Sequence, residues 1–356
     1  MIETGQAALV AFLFTLILVP VFRKIASKTG LLDKPNLRKI HHEPTPLIGG
    51  LVVALAACIS LLICPSFPTL LQSHAVVPGA TIIILIIGIL DDRLDVKPLY
   101  RLLVEMACAY ALAASGVRIT SFYGVLGLET LPEFWQYVLT IVVVSGVVNA
   151  FNLMDGIDGL AGGLALSGFL AFTALSFFLG LYPMAVLLSA MAGALIGFLK
   201  FNLSKKKIFL GDGGSLMLGF LLVGSGIYLL ESAQKMQAST GPVAILVVIG
   251  IFLLPVLDSL RVYRGRIKNG KSPFLADRSH IHHLFLYLGF SHRKTSMAIN
   301  LIHILILSVL LVFYSSMSIT LLLLLTTGLF LGIASVLALN HQVMVWSNKI
   351  REMENK

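Results

Sequence analysis

The sequence predicts an all-α polytopic membrane protein with about eleven transmembrane helices, its N-terminus periplasmic and its C-terminus cytoplasmic. Three observations carry that prediction. Of 356 residues, 57% are hydrophobic and only 12% are charged, which excludes an ordinary soluble domain. Apolar runs close to the ~20 residues needed to cross a bilayer recur along the whole chain. The cations, finally, gather in alternate connections between those runs, as segments retained on the cytoplasmic side do.

The runs cover 7–22, 47–64, 76–90, 99–116, 134–148, 160–179, 182–199, 215–230, 242–260, 295–314 and 319–339. The first is expected to stay as a span and not to be cleaved as a leader, because Glu3 precedes it while Arg23, Lys24 and Lys28 follow. That order puts the N-terminus outside. The inside connections are then 23–46, 91–98, 149–159, 200–214 and 261–294, followed by a tail over 341–356. With Arg101 at the inner end of the fourth run, they hold all but Arg118 and Lys235 of the 26 lysines and arginines. A miscounted run in mid-chain would mix the two sets. Residues 1–340 read as one integral membrane catalytic domain. The net charge of +9 is therefore a matter of topology first, and no nucleic-acid partner is expected. It also makes the cytoplasmic face attractive to anionic headgroups and nucleotides. Cys58, Cys64 and Cys108 lie in or at the ends of apolar runs without ligand spacing, and read as small core residues.

Carboxylates are scarce, 17 in all, and are costly in a membrane protein unless they serve a purpose. They nevertheless crowd the inner ends of the runs. Asp91, Asp92 and Asp95 close the third run, Asp155 and Asp158 follow the fifth, Asp212 precedes the eighth, and Asp258 ends the ninth. Four helix ends thus deliver acids to one surface, and the basic loop brings His280, His282 and His283 to it. Such convergence is what an active site requires.

A lone Asp after an apolar run is a helix reaching water. Asp91 and Asp92 with Asp95 one turn on repel each other, which favours a divalent cation or a raised pKa in one member. In Asn149-Ala150-Phe151-Asn152-Leu153-Met154-Asp155-Gly156-Ile157-Asp158-Gly159, hard oxygen ligands recur every third residue, so a helical turn stacks them on one face. Helix packing explains Gly159 and Gly163 but not four polar residues at the end of a run. In Phe209-Leu210-Gly211-Asp212-Gly213-Gly214-Ser215, a glycine-rich turn opening a helix offers free N–H groups to an anion, with Asp212 placed to hold Mg²⁺. The Gly-Lys-Ser/Thr ending of a P-loop is missing. His280, His282 and His283 follow Arg261, Arg264, Arg266, Lys268 and Lys271. No Cys accompanies them, so pyrophosphate recognition by imidazole and guanidinium donors is the better reading than zinc.

These blocks, in this order, resemble the polyprenyl-phosphate N-acetylhexosamine-1-phosphate transferase family, along with Asp33-Lys34-Pro35-Asn36-Leu37-Arg38-Lys39 and Pro44-Thr45-Pro46-Leu47-Ile48-Gly49-Gly50. The resemblance runs from about Leu31 to Phe290. Asp277-Arg278 ahead of His-Ile-His-His is similar to the bacterial branch that uses UDP-GlcNAc and undecaprenyl phosphate to begin O-antigen, enterobacterial common antigen or teichoic acid. The peptidoglycan branch, which moves phospho-muramoyl-pentapeptide, usually carries a different histidine block. The resemblance implies a ten- or eleven-helix fold in the bacterial inner membrane, a cytoplasmic cleft, and Mg²⁺ as cofactor with Mn²⁺ able to substitute. It further implies that Asp91 deprotonates or positions the lipid phosphate and that Asp92 supports the site. Asp212 would be the principal metal ligand, with Asn152 and Asp155. Asn149, Asn152, Asp155 and Asp158 would bind nucleotide and metal-bridged diphosphate, Phe209 would stack on uracil, and the histidines would read pyrophosphate and sugar. Arg101 stands where relatives often have Lys, and the two differ in geometry. The implied partners are a UDP-N-acetylhexosamine, undecaprenyl phosphate and membrane lipid, and a homodimer is admitted.

Two other classes make different demands. An ion-coupled transporter places its acids near the bilayer midplane on broken helices, whereas here they sit at helix ends. A CDP-alcohol phosphotransferase shares an Asp-Gly-rich motif, but the block from Asp155 to Gly163 lacks the Ala-Arg and the later Asp pair expected of it.

Overall fold

The computed structural model describes residues 1–33, 44–127, 130–236, 240–272 and 279–354. The motif residues Lys34 to Lys39, and Asp277 with Arg278, lie outside the described residues.

Almost everything described is helical, because uninterrupted apolar runs satisfy their backbone polar groups internally only as helices. In chain order the helices are α1 (Ile2–Thr29), α2 (Gly49–Leu62), α3 (Phe67–His74), α4 (Val76–Leu94), α5 (Pro98–Ala114), α6 (Glu133–Asn152) and α7 (Leu160–Phe178), then α8 (Tyr182–Asn202), α9 (Gly211–Met236), α10 (Thr240–Lys268), α11 (Ile281–Tyr287), α12 (His292–Phe313) and α13 (Ile319–Glu354). Between α1 and α2, two-residue strands β1 (Leu32–Asp33) and β2 (Thr45–Pro46) pair antiparallel. Sequence punctuation sets several ends. Gly30 takes a left-handed C-cap after α1, Pro98 opens α5, and the Ser291 hydroxyl caps α12 by accepting from the Lys294 N–H.

Eight of these helices, α1, α6, α7, α8, α9, α10, α12 and α13, are long and apolar enough to cross a membrane, so the chain is a multi-pass membrane protein. The other three expected runs form helices that miss that measure for identifiable reasons. α2 has 14 residues and α5 has 17, while α4 has 19 but closes on Asp91-Asp92-Arg93. Several connections are shorter than expected, because helices continue past the apolar runs. α1 carries Arg23, Lys24 and Lys28 on helix, and α10 extends to Lys268. α3 and α11, of eight and seven residues, correspond to none of the apolar runs.

α9 is the centre of the bundle, packed by α2, α4, α6, α7 and α10, and Phe151, Phe169, Phe172, Phe198 and Phe220 fill the fully buried interior. The start of α9 is clasped by backbone. A Cβ on Gly88 of α4 would stand 2.5 Å from the Gly213 Cα, and one on Gly50 of α2 would stand 2.2 Å from the Gly214 Cα. Only glycine permits that approach, and it brings the end of α4 against the first turn of α9. Cys64 and Cys108 are buried as expected, Cys58 is exposed, and all three are free thiols.

Candidate active site

Where α4 ends, its two adjacent aspartates turn in different directions. Asp91 is buried and holds the α4–α5 connection together, accepting from the Val96 N–H at 2.9 Å and from Arg101 Nη1 at 2.7 Å. Asp92 reaches across 120 residues to α9, where its oxygens accept from the N–H groups of Asp212 at 2.8 Å and Gly213 at 3.1 Å. The glycine-rich turn thus gives two of its N–H groups to the Asp92 carboxylate at the start of α9. Asp95, expected to crowd the other two, is instead the exposed left-handed C-cap of α4 (φ 51°).

Arg101 is the hub. Besides Asp91 it faces Glu105 one turn along α5 (Nε to Oε1, 3.5 Å), Asn149 Oδ1 on α6 (3.5 Å) and Asp212 Oδ2 on α9 (4.0 Å). A guanidinium fork can address several oxygens in fixed geometry, which an ammonium cannot. Glu105 is fully buried and takes a 2.5 Å bond from Asn149 Nδ2. Sequence reading missed this residue, although a carboxylate four residues after Arg101 inside an apolar run was a usable sign.

α6 supplies Asn149 and Asn152 from one face. Asn152 Nδ2 donates to Asp212 Oδ1 at 2.7 Å and to Ser215 Oγ at 2.8 Å. The helical stack expected to continue through Asp155 and Asp158 stops here, because α6 ends at Asn152 and those aspartates ride on the turns before α7. Asp158 pairs with Lys207 Nζ. The Asp155 side chain makes no hydrogen bond among the described residues, although part of the residue remains accessible. Burial, and then the nearby charges of Asp212, Asp92 and Asp158, push its carboxyl well above the usual aspartate range.

The histidine block packs on the loop that carries Asp155 and Asp158. Asp258, wholly buried near the end of α10, accepts from Arg261 Nη2 at 2.7 Å and from the Ile281 N–H at 3.1 Å, and meets His280 Nδ1 at 2.8 Å. A carboxylate only accepts, so the His280 proton lies on Nδ1. Its Nε2 is buried without a partner among the described residues. His282 packs on the Asn-Asp loop so closely that a Cβ at Gly156 would stand 2.5 Å from its Nε2. Burial, reinforced by His283 and His280, pushes His282 down to about 3, so it acts as a neutral imidazole. His283 lies against it with ring centroids 4.3 Å apart.

Other expected residues are less central. Arg264 is exposed, and Arg266 is buried with its guanidinium 5.6 Å from the Tyr263 ring. The half-buried Phe209 is held by backbone, its N–H on the Pro46 carbonyl and its carbonyl taking the Gly49 N–H. Among the described residues no three His, Cys, Asp or Glu side chains converge to cage a metal ion. The donors fit Mg²⁺ in its usual manner, which is one or two carboxylates with waters and substrate phosphate completing the shell. Asp155 has both oxygens uncommitted, and Asp212 offers Oδ2 across from Arg101.

The model of glycosyl transferase family 4 matches residues 74–230. Over 304 residues the chain is 33% identical to the undecaprenyl-phosphate alpha-N-acetylglucosaminyl 1-phosphate transferase of Escherichia coli (strain K12), covering 84% of this chain and 80% of that protein. The protein of the same name from Yersinia pestis is 34% identical over 296 residues, covering 82% and 79%. A probable undecaprenyl-phosphate N-acetylglucosaminyl 1-phosphate transferase of Bacillus subtilis (strain 168) is 32% identical over 303 residues, covering 85% and 82%. This chain belongs to glycosyl transferase family 4. The family segment spans Asp91 to Asp212 and so contains the whole carboxylate cluster, while Asp258, Arg261 and the histidines come from beyond it. In this family 4 chain, α10 and α11 therefore complete a site whose acidic half lies within the matched segment.

Proposed function

We propose that the chain transfers N-acetylglucosamine-1-phosphate from UDP-GlcNAc to undecaprenyl phosphate, releasing UMP and leaving undecaprenyl-diphospho-GlcNAc. What carries the reading is the convergence of Asp91, Asp92, Asp155 and Asp212 near the Arg101 fork at one end of the bundle, and the names of the relatives support the undecaprenyl-phosphate acceptor and the N-acetylglucosaminyl 1-phosphate group that is moved. The topology that fits is eleven spans in a bacterial inner membrane, with α2, α4 and α5 completing the set, the N-terminus periplasmic, and the site and C-terminus cytoplasmic. Residues 1–340 then form one catalytic domain.

An oxygen of the carrier phosphate would attack the β-phosphorus of the donor, forming one phosphoanhydride as the bond to the α-phosphate breaks and UMP departs. A phosphate monoester sheds its second proton near pH 6, so at neutral pH the carrier needs little help from a base. Asp91, with its oxygens engaged by Val96 and Arg101, would hold the guanidinium where that phosphate arrives. This arrangement favours direct attack over an aspartyl-phosphate on Asp91. Asp155 and Asp212 would hold Mg²⁺, which, when bound, offsets charge building on the diphosphate. His280, fixed by Asp258, and Arg261 would orient the donor from the opposite wall, with Asn149 and Asn152 setting the floor. Asp91→Asn and Asp212→Asn in purified enzyme test these assignments. Both are expected to lose transfer of labelled GlcNAc-1-phosphate, and near-normal transfer by both would show the site to be elsewhere.

A further inference from the structure

We propose that Glu105 is a positioning residue for the acceptor phosphate, setting from inside the bundle both the turn of the Arg101 guanidinium and the amide orientation of Asn149. Glu105 has no part in the reaction steps given above, and its role rests on the reading that Arg101 receives the phosphate of the carrier.

Among the described residues, two carboxylates have no exposed surface at all, Asp258 and Glu105. Asp258 is compensated by Arg261, His280 and the Ile281 N–H. Glu105 is not. Its Oε2 takes one hydrogen bond, from Asn149, while Oε1 is buried and accepts none, facing only the Arg101 Nε at 3.5 Å. A buried charge held so sparingly adds little to stability, and well-packed apolar atoms in its place are often neutral or better. Its use lies in what it does to its two neighbours.

The first is Arg101, one turn back along α5. Glu105 faces its Nε and Asp91 binds its Nη1 at 2.7 Å. A planar guanidinium engaged at both of these positions cannot turn about its own bonds. Nη2 is then the least committed donor, with only a 3.5 Å contact to Asn149 Oδ1, and the side chain keeps 17% of its surface exposed. The fork is thus held from within and presents Nη2 to an arriving phosphate.

The second neighbour is Asn149. Its Nδ2 lies 2.5 Å from Glu105 Oε2 and 2.9 Å from the Ser145 carbonyl. Both partners only accept, so the NH₂ must face them and Oδ1 must face Arg101. An amide turned the other way would set donor against donor and push Nη2 aside. A carboxylate at 105 excludes that arrangement, because it has no N–H to offer. Glutamine there would keep an acceptor but would let both amides turn over together.

The test compares Glu105→Met, which has no oxygen acceptor, with Glu105→Gln, which keeps one, in the purified full-length protein. With UDP-GlcNAc and Mg²⁺ saturating, KM for undecaprenyl phosphate should rise roughly ten- to a hundredfold in Glu105→Met, the scale of one lost charge-assisted bond, and less than about tenfold in Glu105→Gln. KM for UDP-GlcNAc and kcat at saturation should change only a few-fold. Thermal unfolding without substrate should be unchanged or later, because a buried charge has gone. A second arm omits donor and metal. Undecaprenyl phosphate alone should protect wild type from unfolding most, Glu105→Gln less and Glu105→Met least. Protection of wild type in this order without transfer from UDP-GlcNAc would fault the proposed reaction and leave the positioning role standing. That role is overturned by an unchanged acceptor KM with equal protection in Glu105→Met, by protection of none of the three, or by equal losses for both substrates. Glu105→Gln faring no better than Glu105→Met, or activity falling in step with earlier unfolding, would overturn it as well.

Discussion

Asp92→Asn separates a residue that builds the site from one that acts on the substrate. Asp92 caps α9 through two N–H groups at 2.8 and 3.1 Å, one of them belonging to Asp212. Replacing a capping Asp with Ala costs about 0.5–2 kcal/mol, and bonds to a charged acceptor lie at the upper end. Asp92→Ala should thus lose about 2 kcal/mol. Asp92→Asn keeps one oxygen acceptor but turns an NH₂ toward the other donor, so about half of that is expected. The assay is thermal unfolding in detergent beside transfer measured against Mg²⁺ concentration. Both variants should unfold a few degrees earlier, Ala before Asn. Both should need several-fold more Mg²⁺, because the first turn that presents Asp212 has loosened, and kcat at saturation should stay within about tenfold. Unchanged unfolding with kcat reduced by roughly a hundredfold or more, the scale of a lost acid or base, would refute the capping account.

Asp155 gives a pH dependence with a definite sign. Its raised pKa means the unfolded carboxyl ionises first, so the metal-free protein carries a stability deficit that is absent below the ordinary aspartate range and grows with pH up to the folded value. Asp155→Asn should therefore stabilise metal-free protein more at pH 8 than at pH 5 in thermal unfolding, and Mg²⁺ should stabilise wild type more than the variant. Arg101→Lys cannot reproduce the fork to Asp91, Glu105 and Asn149, so steady-state kinetics should show kcat/KM for undecaprenyl phosphate falling roughly ten- to a hundredfold, the equivalent of one charge-assisted bond. Asp258→Asn should free His280 and Arg261 and lower kcat/KM for the donor by about 10–100-fold. Adding His280→Ala to it should cost little more, and full additivity would mean the two act separately.

The fold was legible wherever the physics is one-dimensional. Length and apolarity mark a span, and each expected run lies within a helix or overlaps one. α3 and α11 escaped because eight and seven residues make no run, and α11 is held by Asp258 and the Asn-Asp loop, which are distant in sequence. Carboxylates stand out in an oily chain, so Asp91, Asp92, Asp155, Asp158 and Asp212 were visible. Their division of labour was not, because it depends on bonds such as Asp92 to Asp212 that cross 120 residues. Glu105 was hidden inside an apolar run. Asp258 was noticed as an acid at a span end, but its hold on His280 appears only once α11 folds back.

In the proposed reaction the sugar and the β-phosphate move together to a lipid phosphate. UDP-GlcNAc labelled in both the sugar and the β-phosphorus, given to the purified chain with undecaprenyl phosphate and Mg²⁺, tests it directly. Both labels should enter the lipid extract in equal amounts, with one UMP released per transfer. Sugar entering without the β-phosphorus label, with UDP as the product, would contradict the account.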